Sequence, residues 1–278
     1  MKKIKIVTDS CFDLPDDLIK KYDIEFLPLL INFEDKSYLD RVEITFEQMQ
    51  EKIREGGVLP TTAQITPMRF EEYFRKNLEE GYTVLAVLMS SEMSGTYNSA
   101  CIAKEMIGSD DIILVDSQVV TSAEGYLVLK ACELRDQGLS AEEIKEKLEI
   151  IKTKIKSSLC FESLENLVRG GRISKTVGTI GTVLGMKIIV GFKAGKVAVM
   201  DKIRGNKKVL KKIISDYETS NPDRNEPVIL IESVNPELKE EIKSYFDENN
   251  IRYIETEVGC TVGIHSGERA AGIFFVTE

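Results

Sequence analysis

Residues 82–89, YTVLAVLM, form a short, almost continuously apolar run that passes directly into the hydroxyl-rich loop SSEMSG at 90–95. A helical pattern follows, through Tyr97, Asn98, Ala100, Ile102, Ala103 and Met106. An apolar run of this length, bounded by turn residues, reads as a buried strand. Strand, tight loop and helix start together make an anion-holding turn, because the first N–H groups of a helix lack intrahelical acceptors. The loop and first turn offer Ser90, Ser91, Ser94, Thr96 and Ser99 and no basic residue. Such a turn suits a small acidic group better than a polyphosphate.

The same grammar recurs through the first half. KIKIVTD (3–9) and DIILVDS (111–117) are further strands, and MRFEEYFRKNLEEG (68–81) and SAEGYLVLKACELRDQG (122–138) read as helices. IEFLPLLINF (24–33) is expected to be one bent or edge strand, because Pro28 cannot donate to a ladder. A helix is expected from Asp13-Leu14-Pro15 onward, and Thr45 with Gln48 forms a capping box for the next. Strands alternating with helices predict an α/β domain with a mostly parallel sheet and flanking helices over residues 1–155. Residues 156–278 read differently. KIIVGFKAGKVAVMDKI (187–203) is a hairpin turning at Gly195, followed by helix, strand, helix and two strands, the pattern of an α+β domain with a mixed or antiparallel sheet.

The formal net charge of −9 argues against general nucleic-acid binding and against adhesion to an anionic membrane, so at most transient contact with a membrane is expected. No apolar run approaches the ~20 residues that span a bilayer. The N-terminus goes straight into a strand pattern without a signal peptide's apolar region. Five cysteines, odd in number and never paired as CxxC, fit reduced thiols, so a cytoplasmic protein is expected. His265 is the sole histidine, and no metal site or cofactor is expected.

Four further features compete with bland readings. Thr8-Asp9-Ser10 ends the first strand, where ligands often bind in open α/β sheets; the alternative is that Asp9 and Ser10 bond only turn backbone. LPTTAQITP (59–67) offers Thr61, Thr62 and Thr66. GGRIS (170–174) sets Arg172, a residue suited to carboxylates, beside two glycines, where it is equally a solvated helix stop. His265, in a glycine-spaced loop before the last strand, is a donor to an anion or a structural hydrogen-bonder. GxSxG, GxGxxG and GxxxxGK[ST] are all absent.

Taken in order, VTDS at 7–10 with DLP at 13–15, LPL at 27–29, TAQ at 62–64, SGTYNSA at 94–100, VDS at 115–117, GGRIS at 170–174, Arg204-Gly205 and His265 resemble the DegV family of bacterial fatty-acid-binding proteins along essentially the whole chain. The resemblance implies a two-domain protein that binds a long-chain fatty acid, with Thr62 and Ser94 holding the carboxylate and His265 in the same polar network. Thr61, Ser10 and Gly95 are further candidate contacts. It also implies a non-catalytic carrier that presents the fatty acid to an ATP-dependent fatty acid kinase for acyl phosphate formation, with Arg172 docking the kinase. Leu29, Ile31, Leu88, Met89, Val119 and Leu184 are candidate lining residues that are equally ordinary core. Ala63 replaces a usual serine, and Glu268 and Arg269 depart from a glycine-richer pattern. Two rivals remain: a small hydrolase or phosphatase using Ser94 and His265 or Asp9, and a lipid-sensing regulatory module.

Overall fold

The computed structural model describes residues 2–174 and 185–278 and divides into two compact units. The first comprises Met1–Thr153 and Gly259–Thr261, the second Lys154–Val258 and Val262–Glu278.

The first unit holds strands β1 (Ile4–Asp9), β2 (Glu25–Leu27), β3 (Leu30–Asn32), β4 (Ser37–Leu39), β5 (Thr61–Ala63), β6 (Thr83–Leu88) and β7 (Ile112–Asp116). Four of them form an all-parallel sheet in the order β2-β1-β6-β7. Every residue of β6 is buried, as expected of a parallel strand covered on both faces. The helix Ser122–Asp136 packs on β1 and β6 and is buried over most of its length. It lies close to the chain after β1, where a Cβ on Gly125 would overlap the carbonyl oxygen of Phe12.

The apolar run 24–33 is two strands in two sheets rather than one bent strand. Pro28 falls between β2, in the parallel sheet, and β3, which pairs antiparallel with β4 and β5. A proline has no N–H to continue either ladder, so the chain changes partners there. Residues 61–63, expected to be loop, are the edge strand β5, with Thr62 opposite Ile31. The capping box forms as read: the Gln48 N–H donates to Thr45 Oγ1 while the Thr45 N–H donates to Gln48 Oε1. The first helix runs Asp16–Lys21, with Pro15 at its N-cap rather than inside it.

The second unit holds β8 (Ile155–Phe161), β9 (Met186–Lys193), β10 (Lys196–Arg204), β11 (Val228–Ser233), β12 (Tyr253–Glu257) and β13 (Ala270–Val276). They form one mixed sheet in the order β10-β9-β8-β13-β11-β12, antiparallel except for the β11–β12 pair. The β9–β10 turn places Ala194 and Gly195 at φ 47° and 77°, the left-handed pair that a two-residue hairpin requires. Helices Asn206–Thr219 and Pro236–Glu248 cover a core that includes Ile213, Tyr217, Ile242, Phe246 and Phe275. His265, expected in a loop, lies in the short helix Cys260–Ser266.

Candidate functional site

In the first unit, two sequence-distant motifs interlock. Gln64, just beyond β5, donates from Nε2 to Ser99 Oγ at 3.0 Å. Its amide also lies against Gly95, the N-cap of the helix Thr96–Ile107; a Cβ there would overlap Gln64 Oε1. Gly95 has an ordinary φ of −74°, so it is the space, not the backbone conformation, that calls for glycine. The TAQ and SGTY motifs are thus brought into contact through one side chain.

The hydroxyls of the loop after β6 divide into different roles. Ser91 donates from Oγ to Asp116 Oδ2 at 2.6 Å, and its N–H donates to Asp116 Oδ1. Ser90 is fully buried, and its Oγ accepts from the Glu92 N–H. Ser99 is taken by Gln64. Ser94 and Thr96 form a pair at 3.0 Å, and Ser94 Oγ accepts from the Thr96 N–H at 3.2 Å. Thr96 is fully buried and Ser94 half-buried. Either hydroxyl can be the donor of this pair, and in the arrangement where Thr96 donates, the Ser94 proton is available to an external acceptor. The same unit places half-buried Thr62 and exposed Thr61 on β5.

Ser10 is committed elsewhere. It donates to Asp40 Oδ2 at 2.9 Å and accepts from the Leu29 N–H, fully buried. Asp9 is likewise enclosed, with Oδ1 accepting from the Cys11 N–H and Oδ2 from the Met89 N–H, which ties the end of β1 to the end of β6. Burial raises its pKa to about 6 against the pull of those two bonds. A nucleophilic carboxylate needs an accessible oxygen, and Asp9 presents none.

Three more buried carboxylates complete this network. Asp13 accepts from the Thr121 hydroxyl at 2.5 Å and from the Gly259 N–H at 2.8 Å; burial pushes it up to about 7 although Arg41 lies 4.0 Å away. Asp40 Oδ2 accepts from the Thr261 hydroxyl at 2.6 Å as well as from Ser10. Glu124 accepts from Thr8 Oγ1, and burial first, then Asp9, raises it well above the carboxylate range. Burial thus favours the neutral form of Glu124. Among the described residues no group of His, Cys, Asp and Glu has the arrangement to hold a metal ion. The network escapes a reading of motifs, although one acid inside the otherwise apolar stretch AEGYLVL was a visible signal.

In the second unit, GGRIS meets His265. A Cβ on Gly170 would overlap His265 Nδ1, so the first glycine of the motif makes room for the imidazole. The second, Gly171, has φ 74° and closes the helix Glu165–Arg169 in the left-handed conformation. Arg172 donates from Nη1 to the Gly170 carbonyl at 2.5 Å. Burial, then Arg172 and Arg169, lower the His265 pKa to about 4, which keeps the imidazole neutral at neutral pH. Of the lining candidates, Leu29, Ile31, Leu88, Met89 and Val119 are buried, and Leu184 lies outside the described residues.

Compared with known proteins, residues 3–278 match the family described as "Uncharacterised protein, DegV family". A DegV domain-containing protein of Clostridium acetobutylicum is 49% identical over 280 residues, covering 100% of both chains. Among solved structures, a fatty-acid-binding DegV family protein from Thermus thermophilus superposes with a TM-score of 0.91 at 29% identity, over 99% of this chain and 100% of that one. A stearic-acid-binding protein from Eubacterium ventriosum gives a TM-score of 0.88 at 25% identity, over 99% and 98%.

Proposed function

Because this chain belongs to the DegV family, we propose that it is a cytoplasmic, non-catalytic carrier of a long-chain fatty acid, holding the carboxylate at Thr62 and Ser94. The observation that carries the reading is the Gln64 bridge, which joins the two hydroxyl-bearing motifs and leaves Thr62 and Ser94 outside its own hydrogen bond. Structural relatives that bind fatty acids, one of them stearic acid, support the ligand class.

The energetics fit this division of labour. An acyl chain of about 14 methylenes gains roughly 10 kcal/mol gross on leaving water, part of which is lost to ordering. A carboxylate buried without partners would cancel that gain, so its donors decide whether the acid stays bound. Hydroxyl donors satisfy the charge without a tight ion pair. That suits a ligand that must later be handed on, in our reading to an ATP-dependent kinase forming acyl phosphate, with Arg172 at the docking surface.

The test is denaturing extraction of the purified protein followed by mass spectrometry. The wild type is expected to release long-chain fatty acid in near-stoichiometric amount. The double variant Thr62→Ala, Ser94→Ala should release little while remaining folded. Equal lipid in both would refute the carboxylate assignment, and none in the wild type would refute the carrier.

A further inference from the structure

The net charge of −9 hides a local reversal. Residues 186–212 contain nine Lys and Arg against one acid, Asp201, a balance of +8 that leaves −17 for the rest of the chain. These residues are the β9–β10 hairpin, whose outer strand is an edge of the six-stranded sheet, and the first half of the helix Asn206–Thr219. Two of the nine cations are paired with acids outside the segment, Lys187 with Glu162 and Lys212 with Asp216, each at 2.5 Å, and Lys212 Nζ also lies 4.0 Å from Asp201, so the helix runs alongside the edge strand. Lys193, Lys196, Arg204, Lys207, Lys208 and Lys211 are all exposed.

Several of these cations sit where they oppose folding. Lys193 and Lys196 are directly paired across the hairpin, and like charges at opposite positions destabilise a ladder. Lys207 and Lys208 occupy the first turn of their helix, where the macrodipole is already positive. That helix has no acid in its first turn and no side-chain cap on Gly205. Protection of an exposed edge against pairing accounts for lysines on β10. It does not account for lysines at a helix N-terminus.

We infer that this basic edge docks the protein on an anionic lipid bilayer. Eight of the nine cations are lysines. Protein interfaces are depleted in Lys and enriched in Arg, whereas clustered lysines serve a diffuse anionic surface. Met200, 48% exposed on β10, adds an apolar contact among the charges. Acids do border part of this edge: Glu162, Glu237 and Glu241 line a pocket shared with Lys187 and Asn206, so the attraction rests on the exposed Lys193, Lys196, Lys207, Lys208 and Lys211, while acids beyond ~8–10 Å are screened at physiological salt. The choice of a bilayer as occupant rests on the fatty-acid reading, since that cargo resides in membranes.

The experiment is co-sedimentation of the full-length protein with phosphatidylcholine vesicles, with and without 30% phosphatidylglycerol (on the order of a strongly anionic leaflet). Binding is expected only to the anionic vesicles and is expected to weaken at high salt. Each cation removed among Lys193→Gln, Lys196→Gln, Lys207→Gln and Lys208→Gln should weaken it about five-fold. Lys207→Glu with Lys208→Glu should abolish binding while raising the melting temperature, which loss of fold could not do. Equal binding to neutral vesicles, unchanged binding by the variants, or binding to polyglutamate in place of anionic vesicles would overturn the inference. Fatty acid extracted from the same samples separates the two readings. Retained acid with lost vesicle binding supports docking, and a wild type without acid counts against the carrier alone.

Discussion

Replacing Gly95 by alanine tests the interlock at the heart of the candidate site. The new Cβ would overlap Gln64 Oε1 and lie 2.7 Å from Gln64 Cδ and 2.9 Å from Nε2. Gln64 is exposed and its amide is the free end of the side chain, so it swings aside and the backbone stays in place. What is lost is the bond from Gln64 Nε2 to Ser99, worth about 1 kcal/mol net. Alanine is also a poorer N-cap than glycine, by a further ~0.5–1 kcal/mol. Gln64→Ala removes the same hydrogen bond, again about 1 kcal/mol. In the double variant that bond can be lost only once, and the N-cap contribution is common to both backgrounds. The double variant should therefore be about 1 kcal/mol more stable than the sum of the singles implies. Urea unfolding of the four proteins measures this directly. Distant, independent sites add to within about 0.3–0.5 kcal/mol. Additivity at that level would show that Gln64 does not hold the two motifs together.

Other perturbations follow from the same side chains. As the only histidine, His265 gives a single imidazole resonance; its midpoint should fall near 4, and one near 6.5 would contradict its enclosure by Arg172 and Arg169. The unfolded chain takes up that proton first, so the stability His265 contributes is present above pH 6.5 and lost as pH falls through about 4. Asp13 acts in the opposite sense. Its raised pKa gives stability that is complete below about pH 4 and lost as pH rises through about 7, so Asp13→Asn should flatten the fall of urea midpoints across that window. Gly170→Ala should cost about 1–3 kcal/mol by crowding the imidazole, and an unshifted urea midpoint would place the ring elsewhere.

The parts of this fold that were legible in the sequence are those governed by local rules. The parallel strands β1, β6 and β7, the capping box at Thr45 and the Ala194-Gly195 hairpin follow from continuous apolar runs, paired caps and turn chemistry. The three-stranded sheet β4-β3-β5 was not legible, because strands of three residues carry too little periodicity to stand out. Thr62 and Ser94 were visible as hydroxyls in suggestive motifs. The bridge between them was not, because Gln64 and Ser99 are 35 residues apart and neither is distinctive alone. The buried carboxylates were hidden for a similar reason: a sequence shows an acid but not the N–H groups that enclose it. The basic edge was concealed by averaging, since a net charge reports no position.

The three residues Gly259–Thr261, which belong to the first unit, have a consequence for how the protein is made. The Gly259 N–H reaches Asp13 across 246 residues, and Thr261 reaches Asp40 across 221. On a ribosome, the amino-terminal unit would emerge complete in its sheet and helices while Asp13 and Asp40 still awaited these donors. Its last partners arrive only when nearly the whole chain has been translated. A released fragment of residues 1–153 should therefore be cut by protease around Asp13 and Asp40 more readily than the full-length protein. Vectorial synthesis and final locking are thus separated in time by the translation of residues 154–258.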